Sequence, residues 1–226
     1  ELLREHDLQQ VSMQLPAGKW ELGDRGIACL PERRGEFRDG VGLAIEYASA
    51  LGCQRVSCLA GIRRGISAEV ALDTFIDNLR FAAAALAKAR IQLLIEPLNT
   101  RDVPEFFLNQ SAQALAIIGA TGSDNVWLQY DVYHMQVMQG YLVEDIRRCF
   151  SRIAHFQVAD SPGRHQPGTG EIDYPRVLRL LEQLGYSGWI GCAYEPLGTS
   201  RDSLAWLHAY RRGAFARDDA PPSRRS

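Results

Sequence analysis

The sequence lacks any uninterrupted apolar stretch of the roughly 18 to 20 residues that a membrane-crossing helix needs, and no charged-then-apolar leader opens it. Neither sign of charge dominates. Twenty-five Lys and Arg stand against 27 Asp and Glu, a formal net charge of −2, so no bulk field draws in a nucleic acid or an anionic membrane surface. A small neutral or anionic molecule is the expected partner. Paired cysteine motifs are missing too. Cys29, Cys53, Cys58, Cys149 and Cys192 are odd in number, scattered and without a CxxC, which argues against a disulfide framework or a zinc cluster and favours the reducing cytoplasm. Also absent are the biased compositions of disordered, collagenous and coiled-coil chains. At 46% hydrophobic and 23% charged over 226 residues, the chain suits one domain with a sizeable core, expected over residues 1–213, with a poorly packing tail at 214–226 rich in Pro and Arg.

What is present is a repeat of short apolar run, Gly- or Pro-containing loop and amphipathic helical stretch. The apolar runs 8–15, 55–61, 91–99, 126–134, 153–160 and 189–196 read as buried strands. Helices are expected at 33–51, 67–90, 110–120, 142–150, 175–184 and 200–212. Ser67 marks a helix start, and Gly52, Gly122 and Gly185 mark helix ends. Strict alternation of strand and helix implies parallel strands with crossover helices. An open doubly wound sheet and a closed (β/α)8 TIM barrel both fit that pattern. The polar residues choose between them, because Glu96, Asp131 with His134, Gln157 with Asp160, and Glu195 sit in or just after four different strands. Convergence from many strand ends is the barrel arrangement. Six βα units are found where a barrel has eight, and the opening ELLREHD reads as the end of a helix, so the first one to two units are expected to lie before Glu1. Six parallel strands leave two unpaired edges, which keeps a homo-oligomer among the options.

Glu96, in LLIEPLN, is a carboxylate in an otherwise apolar strand, unfavourable unless paired or bound to a cation. Its alternative is a loop cap or a salt bridge to Arg101. Asp131, in LQYDVYHMQ, repeats the situation on the next strand, with Tyr130 and Val132 pointing the other way. Unpaired, the two acids would repel and one would stay protonated. A shared divalent cation accounts for both, and Gln157, in IAHFQVAD, offers the neutral oxygen that Mg²⁺ or Mn²⁺ accepts. His134 is a candidate hydrogen-bond donor to a substrate or else a plain loop histidine. His155 reads as a satisfied core histidine. Arg164, in SPGRHQPGTGE, suits a carboxylate or a hydroxyl-rich ligand. Gly168 and Gly170 in PGTGE lack the following lysine of a phosphate-binding loop and read as turn residues.

Together, LLIEPLNTRD (93–102), LQYDVYHMQ (128–136), IAHFQVADSPGRHQPGTGEIDYP (153–175) and WIGCAYEP (189–196) resemble the hydroxypyruvate isomerase family of the xylose-isomerase-like barrels. Weaker echoes lie in LPAGKW and ALGCQRVSCLAG. The resemblance implies a TIM barrel that holds Mg²⁺ or Mn²⁺ through Glu, Asp, Gln and a second Glu, the two glutamates moving the proton. Matched by motif, the first three are Glu96, Asp131 and Gln157, with Glu96 as acid/base and with His134 and Arg164 as substrate contacts. The implied reaction converts hydroxypyruvate to tartronate semialdehyde (2-hydroxy-3-oxopropanoate) through a metal-stabilised enediolate.

Two departures stand out. Where the family has GCEY, this chain reads Gly191, Cys192, Ala193, Tyr194, and alanine neither ligates nor transfers a proton. Glu195 lies on the same strand face, but two residues along displaces a side chain by about 6.6 Å, whereas a ligand oxygen must approach Mg²⁺ to ~2.1 Å. Lys19 replaces an acidic residue expected in the LPAGKW loop. An isomerase scaffold with impaired turnover follows. The alternatives are a 2-oxo-tetronate isomerase or a sugar epimerase of the same superfamily, and a non-catalytic ligand-binding relative.

Overall fold

Alternating apolar and amphipathic stretches become a single parallel sheet wrapped by helices in the computed structural model, which describes residues 1–212. The strands are β1 (Met13–Gln14), β2 (Arg55–Cys58), β3 (Gln92–Ile95), β4 (Val126–Asp131), β5 (Ile153–Val158) and β6 (Ile190–Cys192). All pair in parallel and in chain order, which leaves β1 and β6 as the edges of a half-barrel. The helices are α1 (Leu2–Glu5), α2 (Arg34–Leu51), α3 (Ala68–Lys88), α4 (Ser111–Thr121), α5 (Val132–Met138), α6 (Leu142–Cys149), α7 (Tyr174–Gln183) and α8 (Ala205–Arg211). None of them is long and apolar enough to cross a membrane. The tail expected at 214–226 lies outside the described residues.

Local chemistry sets these boundaries. The Ser67 side chain accepts from the Val70 N–H at 3.2 Å and starts α3, whose Ala71, Phe75, Leu79, Ala82 and Leu86 recur at helical spacing and are all buried. Gly52 and Gly122 end α2 and α4 at φ of +64°, and Gly185 follows α7 at +74°, a conformation in which a Cβ is strained. Val56, Leu93, Ile95, Leu128, Tyr130, Phe156 and Val158 form the apolar layer between sheet and helices. Tyr130 and Phe156 stack at 5.6 Å, and Phe156 meets Tyr186 edge-on at 4.9 Å. The alternate residues Ser57, Glu96, Gln129 and Gln157 line a cavity on the other face.

Several expectations change, the strands expected at 55–61, 91–99 and 189–196 among them, which shorten to β2, β3 and β6. The strand expected at 8–15 shrinks to Met13–Gln14, since an edge strand pairs on one side only. The strand expected at 126–134 stops at Asp131, whose Oδ1 accepts the N–H groups of Tyr133 at 2.8 Å and His134 at 3.3 Å and thereby caps the unanticipated helix α5. His155 is buried as expected but not satisfied, for among the described residues its Nδ1 has no hydrogen-bond partner. Burial lowers its pKa to about 4, with the Arg55 charge acting in the same direction.

Candidate functional site

Register brings the site together. Asp131 on β4 pairs with Gln157 on β5, and Gln157 with Gly191 on β6. Glu96 lies one residue past β3, at the same end of the sheet. The resulting cavity, about 500 Å³, is lined among others by buried Glu96, Gln129 and His134, by half-buried Gln157, Ala193, Arg25 and Arg164, and by exposed Trp20 and Asp102. Glu96, Asp131 and His134 each offer a ligand atom, and the three atoms lie within 4.8 Å of one another. Glu96 is 6% exposed and Asp131 fully buried.

Two carboxylates this close and this dry cannot both ionise comfortably. Burial, reinforced by the Asp131 charge, holds the Glu96 carboxyl well above the usual range, while Gln129 and Arg164 pull it the other way. Among the described residues, Asp131 Oδ2 is buried with no hydrogen-bond partner. A buried carboxylate oxygen without a partner, clustered with a second acid and an imidazole, is a donor set that fits a divalent cation. Gln157, paired in register with Asp131, lines the same cavity as Glu96, and its Oε1 accepts from Gln129 Nε2 at 3.1 Å. The Glu96 side chain is not engaged by Arg101.

His134, 1% exposed, stands with Nε2 3.8 Å from Asp131 Oδ2. Its other nitrogen, Nδ1, lies 3.2 Å from the Asn99 backbone N and 2.8 Å from Asn99 Nδ2. Burial depresses its pKa despite the Asp131 charge, so the neutral ring is the relevant form. Arg164 reaches the cavity from the loop after β5, with Nε donating to the Ala193 carbonyl at 3.3 Å and the guanidinium 5.5 Å from the centre of the Tyr133 ring. That loop is organised by Asp160. Its Oδ1 accepts from the N–H groups of Ser161 (2.9 Å) and Ile172 (3.2 Å), and its Oδ2 from Gly168 (2.7 Å) and Thr169 (3.0 Å). The PGTGE amides that a phosphate would need are therefore already used. A Cβ at Gly170 would collide with the Ser161 carbonyl and the Asp160 carboxylate.

Ala193 faces the cavity, while Glu195 is exposed and lines a separate recess beside Arg164 with Arg101 and Pro162. Glu195 therefore does not stand in for a carboxylate at 193. Sequence reasoning missed Gln129, although its place two residues before Asp131 puts it on the same strand face. It also missed Trp20 and Arg25, which sit on a loop where no strand period guides the eye. That loop is pinned by buried Asp24, which accepts from the Lys19 N–H at 2.7 Å, from Arg33 at 2.7 Å and from Arg64 at 2.5 Å. Arg25 lies 3.9 Å over the Trp20 ring.

Burial works against ionisation of Asp24, but these three donors outweigh it and hold its pKa below the ordinary value. A depressed carboxylate stabilises the fold fully above the ordinary carboxylate range, and that stabilisation fades as pH falls through the folded value. Asp24→Ala is accordingly expected to lower stability by about 1 to 3 kcal/mol at neutral pH, with the difference from the parent shrinking in acid, as read by urea unfolding across pH.

The chain is similar to several known proteins. Hydroxypyruvate isomerase of Escherichia coli (strain K12) is 46% identical over 211 residues, covering 93% of this chain and 82% of the relative. 2-Oxo-tetronate isomerase of Cupriavidus necator is 39% identical over 207 residues, covering 90% of this chain and 78% of the relative. The crystal structure of AP endonuclease, family 2 from Brucella melitensis matches with a TM-score of 0.90 and 40% identity, covering 92% of this chain and 81% of that one. The family description "Xylose isomerase-like TIM barrel" matches residues 1–210, and the chain belongs to that family.

Proposed function

We propose that this chain is an isomerase of small 2-oxo and hydroxy acids, with hydroxypyruvate to tartronate semialdehyde as the leading reaction and a 2-oxo-tetronate as the alternative substrate. One observation carries the reading. Two buried acids, one with an orphaned oxygen, meet beside a cavity that Glu96 and two arginines line. The names of the relatives at 46% and 39% identity support the substrate class.

Glu96, Asp131 and Gln157 would hold a divalent cation. Bound there, such an ion supplies Lewis acidity that stabilises negative charge developing on a substrate oxygen. The chain's own groups do the rest. Arg164, together with Arg25, holds the substrate carboxylate and aims the reacting carbons at the base of the cavity. Glu96, as carboxylate, takes a proton from C3, and the electron pair forms the C2–C3 double bond of an enediolate. Return of a proton to C2, with the hydroxyl proton passing from the C3 oxygen to the C2 oxygen, completes the aldehyde. A glutamate at 193 would deliver that second proton, and Ala193 cannot. Turnover of the chain as written is therefore expected to be slow, and it should vanish with EDTA and return with Mg²⁺ or Mn²⁺.

The test is an isomerase assay on hydroxypyruvate and on a 2-oxo-tetronate, with each metal and with EDTA, for the chain and its Ala193→Glu variant. Absence of turnover from both folded proteins would overturn the reading, as would metal-dependent nicking of an abasic-site duplex in its place. Ala193 itself favours a second reading, a binding relative without turnover. That reading gains if hydroxypyruvate binds calorimetrically while the glutamate variant stays inactive.

A further inference from the structure

We infer that Asn99 is a positioning residue which locks His134 in the Nε2–H tautomer, so that His134 serves the site as a hydrogen-bond donor and its Nε2 is not a cation ligand. The groups around Asn99 have fixed roles as donor or acceptor. The Asp102 backbone N–H, always a donor, lies 2.8 Å from Asn99 Oδ1, and the Asp102 carboxylate, an acceptor, lies 2.9 Å from Asn99 Nδ2. These two contacts fix which end of the Asn99 amide is oxygen and which is nitrogen. The amide NH₂ therefore faces His134 Nδ1 at 2.8 Å. The Asn99 main-chain N–H, also an obligate donor, approaches the same nitrogen at 3.2 Å. An imidazole nitrogen that receives two donors carries a lone pair, and in a neutral ring the proton must then reside on Nε2.

The neighbours reinforce this arrangement. Asn99 is fully buried, and Tyr133 Oη donates to Asp102 Oδ2 at 2.8 Å, holding the carboxylate that orients the amide. The Nε2–H is left on the side of Asp131 Oδ2, 3.8 Å away, where the cavity begins. With its proton there, Nε2 has no lone pair for a metal, which separates His134 from the carboxylates it clusters with. The inference takes from the proposed reaction only the expectation that an oxyanion develops beside this donor. The tautomer stands without it.

The test is a long-range ¹H–¹⁵N spectrum of the full chain labelled with ¹⁵N-histidine, with the His134 signals assigned by their loss in His134→Gln. The expected result is a protonated ε2 and a bare δ1 nitrogen, unchanged when Mg²⁺ is added. A protonated δ1, or loss of the ε2 proton on adding Mg²⁺, overturns the inference, and neither reading needs a variant of Asn99 to fold. In Asn99→Ala the main-chain donor remains and the closer amide donor is lost, so a δ1-protonated population should appear. A spectrum that stays wholly ε2-protonated removes Asn99 from the role.

In the Ala193→Glu background, Asn99→Ala is expected to lower kcat by roughly ten- to a hundredfold, as loss of an orienting partner does, with KM little changed. His134→Gln, whose amide can still donate, should retain more activity than His134→Leu, and equal loss in both counts against the donor role. Failure of every protein to isomerise would sink the proposed function and leave the spectra to decide the tautomer.

Discussion

Ala193→Glu is expected to raise isomerase turnover by roughly 10² to 10⁴, the usual contribution of a positioned acid/base. Position 193 lies one residue past β6, two residues beyond Gly191, which pairs with Gln157 in register, and it lines the same cavity as Glu96. A glutamate there would supply a second proton-transfer group in the cavity that Glu96 lines and a further carboxylate oxygen for a cation. It also brings a third acid to a cluster where burial and the Asp131 charge already raise the Glu96 pKa. The metal-free variant should therefore be less stable than the parent, and Mg²⁺ or Mn²⁺ should raise its Tm by more. Two readouts check the prediction, steady-state kinetics on hydroxypyruvate and thermal unfolding with metal or EDTA. A folded variant with no added turnover and no larger metal shift would place residue 193 outside the reaction.

Glu96→Gln should move activity and stability in opposite directions. Measured in the Ala193→Glu background, turnover should fall by roughly 10² to 10⁴ through loss of the base. The metal-free fold, by contrast, should gain. The folded pKa of Glu96 lies above its unfolded value, so the fold binds this proton more tightly than the unfolded chain does. Stability from that source is complete below the ordinary carboxylate range and is lost as pH rises through the folded value. Glutamine keeps the shape and never ionises. In EDTA, Glu96→Gln is expected to exceed its parent by about 1 to 3 kcal/mol at neutral to alkaline pH and to match it in mild acid, as measured by urea unfolding. A variant that is both inactive and less stable at every pH would assign Glu96 to packing.

The strand and helix alternation was readable because buried parallel strands are apolar on both faces, so a charge or amide within one is conspicuous. Glu96, Asp131 and Gln157 all announce themselves in this way, and register carries them to one end of the sheet. His134 was found as a residue but misplaced, because VYHM is as strand-like as helix-like. Only the capping carboxylate of Asp131, a three-dimensional contact, turns that stretch into α5. Asn99 was swallowed by an overlong strand reading of 91–99, although β3 ends at Ile95 and Asn99 works from the following loop. Trp20 and Arg25 depend on Asp24 meeting Arg64, 40 positions away in sequence, and no local pattern reports such a meeting. His155 was legible as buried, yet whether a buried nitrogen finds a partner depends on every neighbouring strand.

The clasp that Asp160 makes on four main-chain amides has a consequence for how ligand preference can drift. The segment around Arg164 is held by the Asp160 carboxylate and, past the arginine, by the His165 ring 2.8 Å from the Glu195 carbonyl and the Gln166 side-chain oxygen accepting from the Leu197 N–H at 2.9 Å, so exchange of either side chain should disturb the arginine's aim. Such a loop ties the anchor to the chain that follows the last strand, so new substrates are accommodated by changes that move both together.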